Sequence, residues 1–352
     1  MDVSMHTKFI PGIELNRHFY LEIIKPLMDK KFPNLKYSCA LIGYGSDVLG
    51  VDNFTSTDHN WGPRSYIFLD REDIGLKDRL NEMFCSGLPL TFRGYPTNFS
   101  QARYDGTQSM EETLTHPVNH MIKIHELDGY FNRYLGIDDI NVIGNNDWIK
   151  FADQKLIELT SREIYHDGLD GLIRVTERLK FYPLDVLKLK LASLWLSVSN
   201  EEAFVGRCIE IDDFIGLKLI VTRITATLMK IMFYLERKYI PYSKWFGTFF
   251  KKLNTSKSLS GIIKAVLTEN DPVQIHEKLC SIYTVIIQSH NNNSDLPNIK
   301  NKIQNYFNRP YNVILAETIV KQIIDSIQDE NIKKMDLRCI GLDVKCESID
   351  FG

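Results

Sequence analysis

The feature that most restricts this fold is a change in apolar period near Tyr182-Pro183. From "RLKFYPLD" onward, Leu187, Leu191, Leu194 and Val198 recur at helical spacing, and Leu217, Val221, Ile224, Leu228, Ile231 and Leu235 form one long stripe. Apolar stripes of this period are buried by packing helix on helix, so residues 183–352 read as an all-α bundle. Further helices are predicted over 258–268, 272–289 and 312–328, with "SHNNNSDLPN" as a polar loop.

Residues 1–182 have no such uniform period. "GIELNRHFYLEIIKPLMDKKF" has helical spacing through Phe19, Ile23 and Leu27, with a proline that bends or ends the helix. "KYSCALIGYG" is a short apolar run stopped by glycines and reads as a buried strand. "RSYIFLD" reads as a second strand, "DIGLKDRLNEMF" as an amphipathic helix and "LTFRGYPTNF" as a third strand. "DWIKFADQKLIELTSREIYHD" reads as a helix followed by a strand from Glu163 to His166, ending at Asp167. The fold class is therefore α+β: a mixed sheet flanked by helices, followed by the bundle.

Between the first two strands lies "GYGSDVLGVDNFTSTDHNWGPR", Gly43 to Arg64, which is richer in glycine and polar residues than a packed core requires. Gly45 allows backbone to approach a phosphate closely, and the Ser46 hydroxyl with the N–H groups of a helix opening there can hold terminal phosphates. Asp58 and Asn60, two apart, share one face if they stand on a strand, where their oxygens can converge on one Mg²⁺ (or Mn²⁺) ion. His59 then points the other way and is read as a packed or hydrogen-bonded histidine. Two rival motifs fail: Val48 stands where a dinucleotide fingerprint needs glycine, and Tyr44 where a nucleophile elbow needs one.

Bulk properties narrow the partners. A formal net charge of −3 and 25% charged residues leave no general polyanion-binding surface, so nucleic acid is an unlikely partner. The six cysteines are scattered without a C-x-x-C pair, indicating neither a zinc site nor a disulfide framework. The opening "MDVSMHTKFIPG" lacks the form of a signal peptide, and no apolar run reaches the roughly 20 residues needed to cross a bilayer. A cytoplasmic protein with no membrane partner is expected.

The order of strand, Gly-Ser, a dozen residues and Asp-x-Asp resembles the polymerase-β-like nucleotidyltransferase superfamily. More narrowly, "GSDVLG…STDHNWGPR", "YHDGLDGLIRVTERLKFYPLDV", "LWLSVSNEEAFVGRC" and "YIPYSKWFG" resemble DUF4037, a family of unknown function within it. The likeness runs from about Ile10 to Asp325. It implies a small nucleotidyltransferase domain before a helical bundle, as in aminoglycoside and lincosamide nucleotidyltransferases. It further implies that Gly45 and Ser46 hold the β- and γ-phosphates and that Asp58 is a metal ligand. Position 60 would be a second ligand, where this chain has Asn60 instead of aspartate. The third carboxylate, bridging metal or acting as base, would be Asp167, with Glu163 behind it. Arg64 is expected to touch phosphate or brace Asp58. Lys244 is expected to face the triphosphate, and Tyr242 to stack on the base or pack.

Glu202 and Arg207, in "NEEAFVGRC", either form an intrahelical ion pair or line the cleft. Two functions follow. In the first, a Mg²⁺-dependent enzyme moves a nucleoside monophosphate from a nucleoside triphosphate to a small-molecule acceptor and releases pyrophosphate. In the second, the Asn60 change leaves a nucleotide-binding or sensing module with weak turnover.

Overall fold

A computed structural model describes residues 9–340; most of "MDVSMHTKFIPG", and Cys346, lie outside them. Contacts divide the chain into two units. The first comprises residues 1–143 and 155–180, the second residues 144–154 and 181–352. A break at Tyr182-Pro183 was expected; in addition, the segment 144–154 groups with the second unit.

The first unit opens with helix α1 (Gly12–Phe19), which runs through a π-helical stretch, Tyr20–Ile24, into α2 (Lys25–Lys31). Pro26 therefore does not end the helix. It lacks an N–H and its ring crowds the preceding turn; the wider turn just before it relieves both effects within a continuous helix. Strand β1 (Tyr37–Leu41) and strand β2 (Arg64–Leu69) are buried throughout, as their apolar runs require. Helix α3 (Lys77–Gly87) follows. "LTFRGYPTNF" is a tight hairpin of β3 (Thr91–Phe92) and β4 (Tyr95–Pro96), not a strand of the main sheet. Arg93 and Gly94 both take positive φ at its tip, which closes a two-residue turn.

The sheet is completed by β5 (Met121–Glu126) and, after α4 (Leu127–Leu135), α5 (Asn145–Lys150) and α6 (Asp153–Thr160), by β6 (Glu163–Asp167). Its order is β5-β2-β1-β6, with β1 antiparallel to β2 and β6, and β2 parallel to β5. Successive strand residues alternate between faces. One face, carrying Cys39, Ile67, Leu69, Ile122 and Ile124, packs on Leu15, Phe19, Ile24, Leu80 and Phe84 of α1 to α3. The other carries Arg64, Tyr66, Phe68, Lys123 and His125. There Tyr130 of α4 meets Tyr66, Phe68 and His125, with ring centroids 5.5, 5.2 and 5.3 Å away. Helix α7 (Leu172–Arg178) follows β6.

The second unit is mainly helical: α8 (Leu184–Ser199), α9 (Glu202–Glu210), α10 (Phe214–Leu235), α11 (Ser243–Phe250), α12 (Ser256–Thr268) and α13 (Pro272–Asn291). A small pair of strands, β7 (Gln304–Asn305) and β8 (Asn312–Val313), precedes α14 (Ala316–Asp325) and α15 (Glu330–Lys333). The α10 stripe is the buried one, with Leu217, Val221, Ile224, Leu228 and Ile231 each at most 1% exposed. Asp213 and Asp271 cap α10 and α13 by accepting backbone N–H groups of the first turn. No helix among the described residues is long and apolar enough to cross a membrane.

Candidate functional site

At the end of β1 the chain turns sharply. Gly43 and Gly45 take φ values of +86° and +136°, conformations that L side chains rarely adopt. A methyl group at Gly45 would collide with the Asp47 carboxylate and the Arg64 guanidinium, so only glycine fits. Residues 45–51 then form a single turn, closed by Leu49 N–H to Gly45 O at 3.3 Å and Val51 N–H to Ser46 O at 3.0 Å. The sequence suggested a helix start here; the structure has only this turn. Ser46 is partly exposed, and its hydroxyl makes no hydrogen bond among the described residues.

A buried ion pair holds the turn in place. Arg64 donates through Nε to Asp47 Oδ2 at 2.9 Å and through Nη2 to Asp47 Oδ1 at 2.6 Å, with the two side chains 2% and 1% exposed. Arg64 also donates to Tyr44 O, and its own N–H is accepted by Asn16 Oδ1. Burial opposes the guanidinium charge, but Asp47 more than offsets it and holds the arginine pKa above its ordinary value. Arg64 therefore neither meets phosphate nor braces Asp58. It fixes the Gly45–Ser46 turn from behind, a role for which Asp47, adjacent to Ser46 in the sequence, is the missing partner.

The metal set expected from sequence is not assembled. Asp58 ends a 3-10 turn, Phe54–Asp58, and Asn60 stands in the left-handed region at φ +50°, so the two are not on a strand. Asn60 Oδ1 accepts the Gln108 N–H at 3.0 Å while Asn60 N–H donates to Gln108 O at 2.7 Å, which commits the amide oxygen. Asparagine tolerates left-handed backbone better than most residues, giving Asn60 a structural reason. Asp58 is exposed and pairs with His59 Nδ1 at 3.0 Å. Asp167 lies beside Ser38, at the start of β1, while Gly45–Ser46 follow its end; Ser38 to Leu41 alone spans about 10 Å. The Asp167 carboxylate accepts from Ser38 Oγ at 2.6 Å and from the N–H groups of Leu172 and Ile173 at 3.2 and 2.8 Å, capping α7. Glu163, beside Leu41, is at the Ser46 end of the sheet and pairs with Arg17 at 2.5 Å. Among the described residues, no group of three or more His, Cys, Asp or Glu side chains is placed to hold a metal ion. These residues do not fit a resident two-metal centre.

In the second unit, Glu202 pairs with no arginine among the described residues. Its buried carboxylate accepts the N–H groups of Ile314 and Ala316 at 2.8 and 2.7 Å, clamping the entry to α14. Burial raises the Glu202 pKa, against the pull of those two donors. Arg207 instead pairs on the surface with Glu210 at 2.9 Å. Tyr242 precedes α11, and its N–H donates to Gln154 Oε1 at 3.0 Å; Lys244 is exposed, 5.1 Å from the Trp245 ring. The neighbouring Asp153 is a buried hub that sequence reading missed. It accepts the Tyr182 and Tyr234 hydroxyls at 2.7 and 3.1 Å and the Ile240 N–H at 2.7 Å, with Lys190 Nζ 3.7 Å away.

Asp153, Glu202, Tyr242 and Lys244 all lie in the stretch for which a relationship is found, whereas the Gly43–Arg64 pattern lies outside it. No curated protein matches the chain. Residues 148–246 match the family described as Domain of unknown function (DUF4037), and over that stretch the chain is similar to that family.

Proposed function

We propose that the first unit binds the triphosphate of a nucleoside triphosphate at the Gly43–Ser46 turn, as a protein of nucleotidyltransferase type. One observation carries this reading: a glycine turn, clamped by the buried Asp47–Arg64 pair, presents a serine hydroxyl with no partner among the described residues. A hydroxyl and backbone N–H groups fixed before the ligand arrives cost little ordering on binding. Mg²⁺ or Mn²⁺ enters with the nucleotide, as part of the substrate complex.

Of the two functions open to such a site, binding or sensing with weak turnover is the one these residues favour. Asn60 has its amide oxygen engaged by Gln108, and Asp167 caps a helix. Transfer of a nucleoside monophosphate to a small-molecule acceptor, with pyrophosphate release, is the second reading, supported by the Gly-Ser and Asp-x-Asn order. Titration calorimetry with ATP, GTP, CTP and UTP plus Mg²⁺ tests the first: at least one binds, and Ser46→Ala weakens it about tenfold or more, the worth of one hydrogen bond to a charged group. Absence of binding at millimolar concentration refutes it. Pyrophosphate release separates the two, since the favoured reading expects little release from the wild type and more from Asn60→Asp.

A further inference from the structure

The sheet face that carries Arg64 and Tyr66 also carries a basic group that the proposed function has not used. Lys123 pairs with Tyr66 across the β2–β5 register, and His125 pairs with Phe68, both pointing to that face. Lys123 Nζ donates to Gln108 Oε1 at 3.3 Å, a neutral partner. Gln108 is also the residue whose backbone holds Asn60, so this one residue links the ammonium to the Asp58–Asn60 turn. His125 packs against two aromatic rings, stacked on Tyr66 at 6.0 Å and tilted against Tyr130 at 5.3 Å.

Two further cations complete the group. Lys77 bears electrostatically on both Lys123 and His125, and Arg133 on His125. Burial first, then Arg64 and Lys77, lowers the Lys123 ammonium pKa, and burial, then Lys77, Arg133 and Lys123, brings the His125 imidazole down to about 4. At neutral pH the His125 imidazole is therefore uncharged, among the basic side chains of Lys123, Lys77 and Arg133. None of the four makes an ion pair among the described residues, although the chain carries more acidic than basic side chains. Lys123 is half-buried, while Lys77 and Arg133 are exposed; like charges without a counter-ion raise the local potential and draw anions.

We propose that Lys123, flanked by Lys77, His125 and Arg133, forms an anion site for the polyphosphate of the nucleotide, where a carboxylate-bound metal would otherwise neutralise it. This rests on the nucleotide reading given above. It accounts for two features together: an amide in place of the second aspartate, and an ammonium that donates to the Gln108 side chain and pairs with no carboxylate among the described residues. A ligand polyphosphate supplies the missing counter-charge.

The probe is inorganic tripolyphosphate, titrated beside ATP into the wild type, Lys123→Met and Ser46→Ala. The wild type binds tripolyphosphate and unfolds at higher temperature in its presence. Lys123→Met, which removes a partly buried charge, unfolds no earlier than the wild type but loses tripolyphosphate affinity tenfold or more. Should Lys123→Met not fold, Lys77→Ala combined with Arg133→Ala, both exposed, takes its place with the same loss. If ATP binding falls in Ser46→Ala but is unchanged in Lys123→Met, the anion site is overturned and the nucleotide reading stands. If tripolyphosphate binds through Lys123 while no nucleoside triphosphate binds, the anion site stands and the nucleotide reading falls.

Discussion

Arg64 shows how a residue's role turns on one neighbour. Next to a Gly-Ser pair an arginine reads as a phosphate ligand, yet its fork closes on Asp47, and the pair is nearly inaccessible to water. Arg64→Met leaves the Asp47 carboxylate buried and unpaired, which costs about 3–5 kcal/mol. Denaturant unfolding measures this, and Arg64→Met combined with Asp47→Leu recovers part of the loss because no lone charge remains. A cost under 1 kcal/mol for the single change would mean the pair does not hold the turn. The sequence displays Gly45, Ser46 and Asp58 openly because glycine and polar residues between two strands stand out. It conceals Asp47–Arg64, since partners seventeen residues apart are chosen by the register of β1 and β2. Asn60 was legible as a departure from aspartate; its left-handed backbone, the physical reason for asparagine, was not.

At the scale of elements, what the sequence revealed depended on period and length. The α10 stripe and the buried β1 and β2 runs carry enough repeats to be read directly. "MIKIHE" alternates as a half-buried edge strand does, but six residues between a loop and the start of α4 are easily passed over, and with them went Lys123. Asp167 was misplaced for a related reason. Its neighbourhood depends on β6 running antiparallel to β1, which puts the end of β6 beside the start of β1, away from Ser46. Glu202 makes the corresponding point in the second unit. A glutamate five residues before an arginine on a helix suggests a surface partner; the structure uses it to hold two N–H groups around Leu315, a non-glycine residue in left-handed backbone. Glu202→Ala strands both donors in a buried place, at about 1–3 kcal/mol for each. Chemical denaturation reads the loss, and a variant as stable as the wild type would show that the α14 entry does not depend on this carboxylate.

For the molecule as a whole, the α+β class and the mainly helical second unit agree with the change in apolar period. Charge couples to stability through buried histidines in both units. His120 and His125 in the first and His290 in the second are brought from 6.5 down to about 4, in each case chiefly by burial. Between these values the folded protein binds fewer protons than the unfolded chain, so stability rises with pH across the window and is lost as pH falls from about 6.5 to about 4. Glu202 works the other way: its raised pKa means the folded state takes up a proton first, so its contribution favours the fold at acid pH. With three histidines against one glutamate, the thermal midpoint is expected to drop between pH 6.5 and 4.5, and His290→Gln to flatten that drop. A midpoint constant across the window would contradict the histidine burial.

The central claim concerns the clamped turn, and a crystal soaked with a non-hydrolysable nucleoside triphosphate and Mg²⁺ tests it most directly. The account predicts phosphate density within hydrogen-bond distance of the Ser46 hydroxyl and the backbone of Gly45 and Ser46, with the Asp47–Arg64 pair unchanged. Nucleotide density elsewhere contradicts it. One such place is the polar cleft of about 670 Å³ at the far end of the sheet, lined by Asp70, Arg71, Asp138 and Arg174.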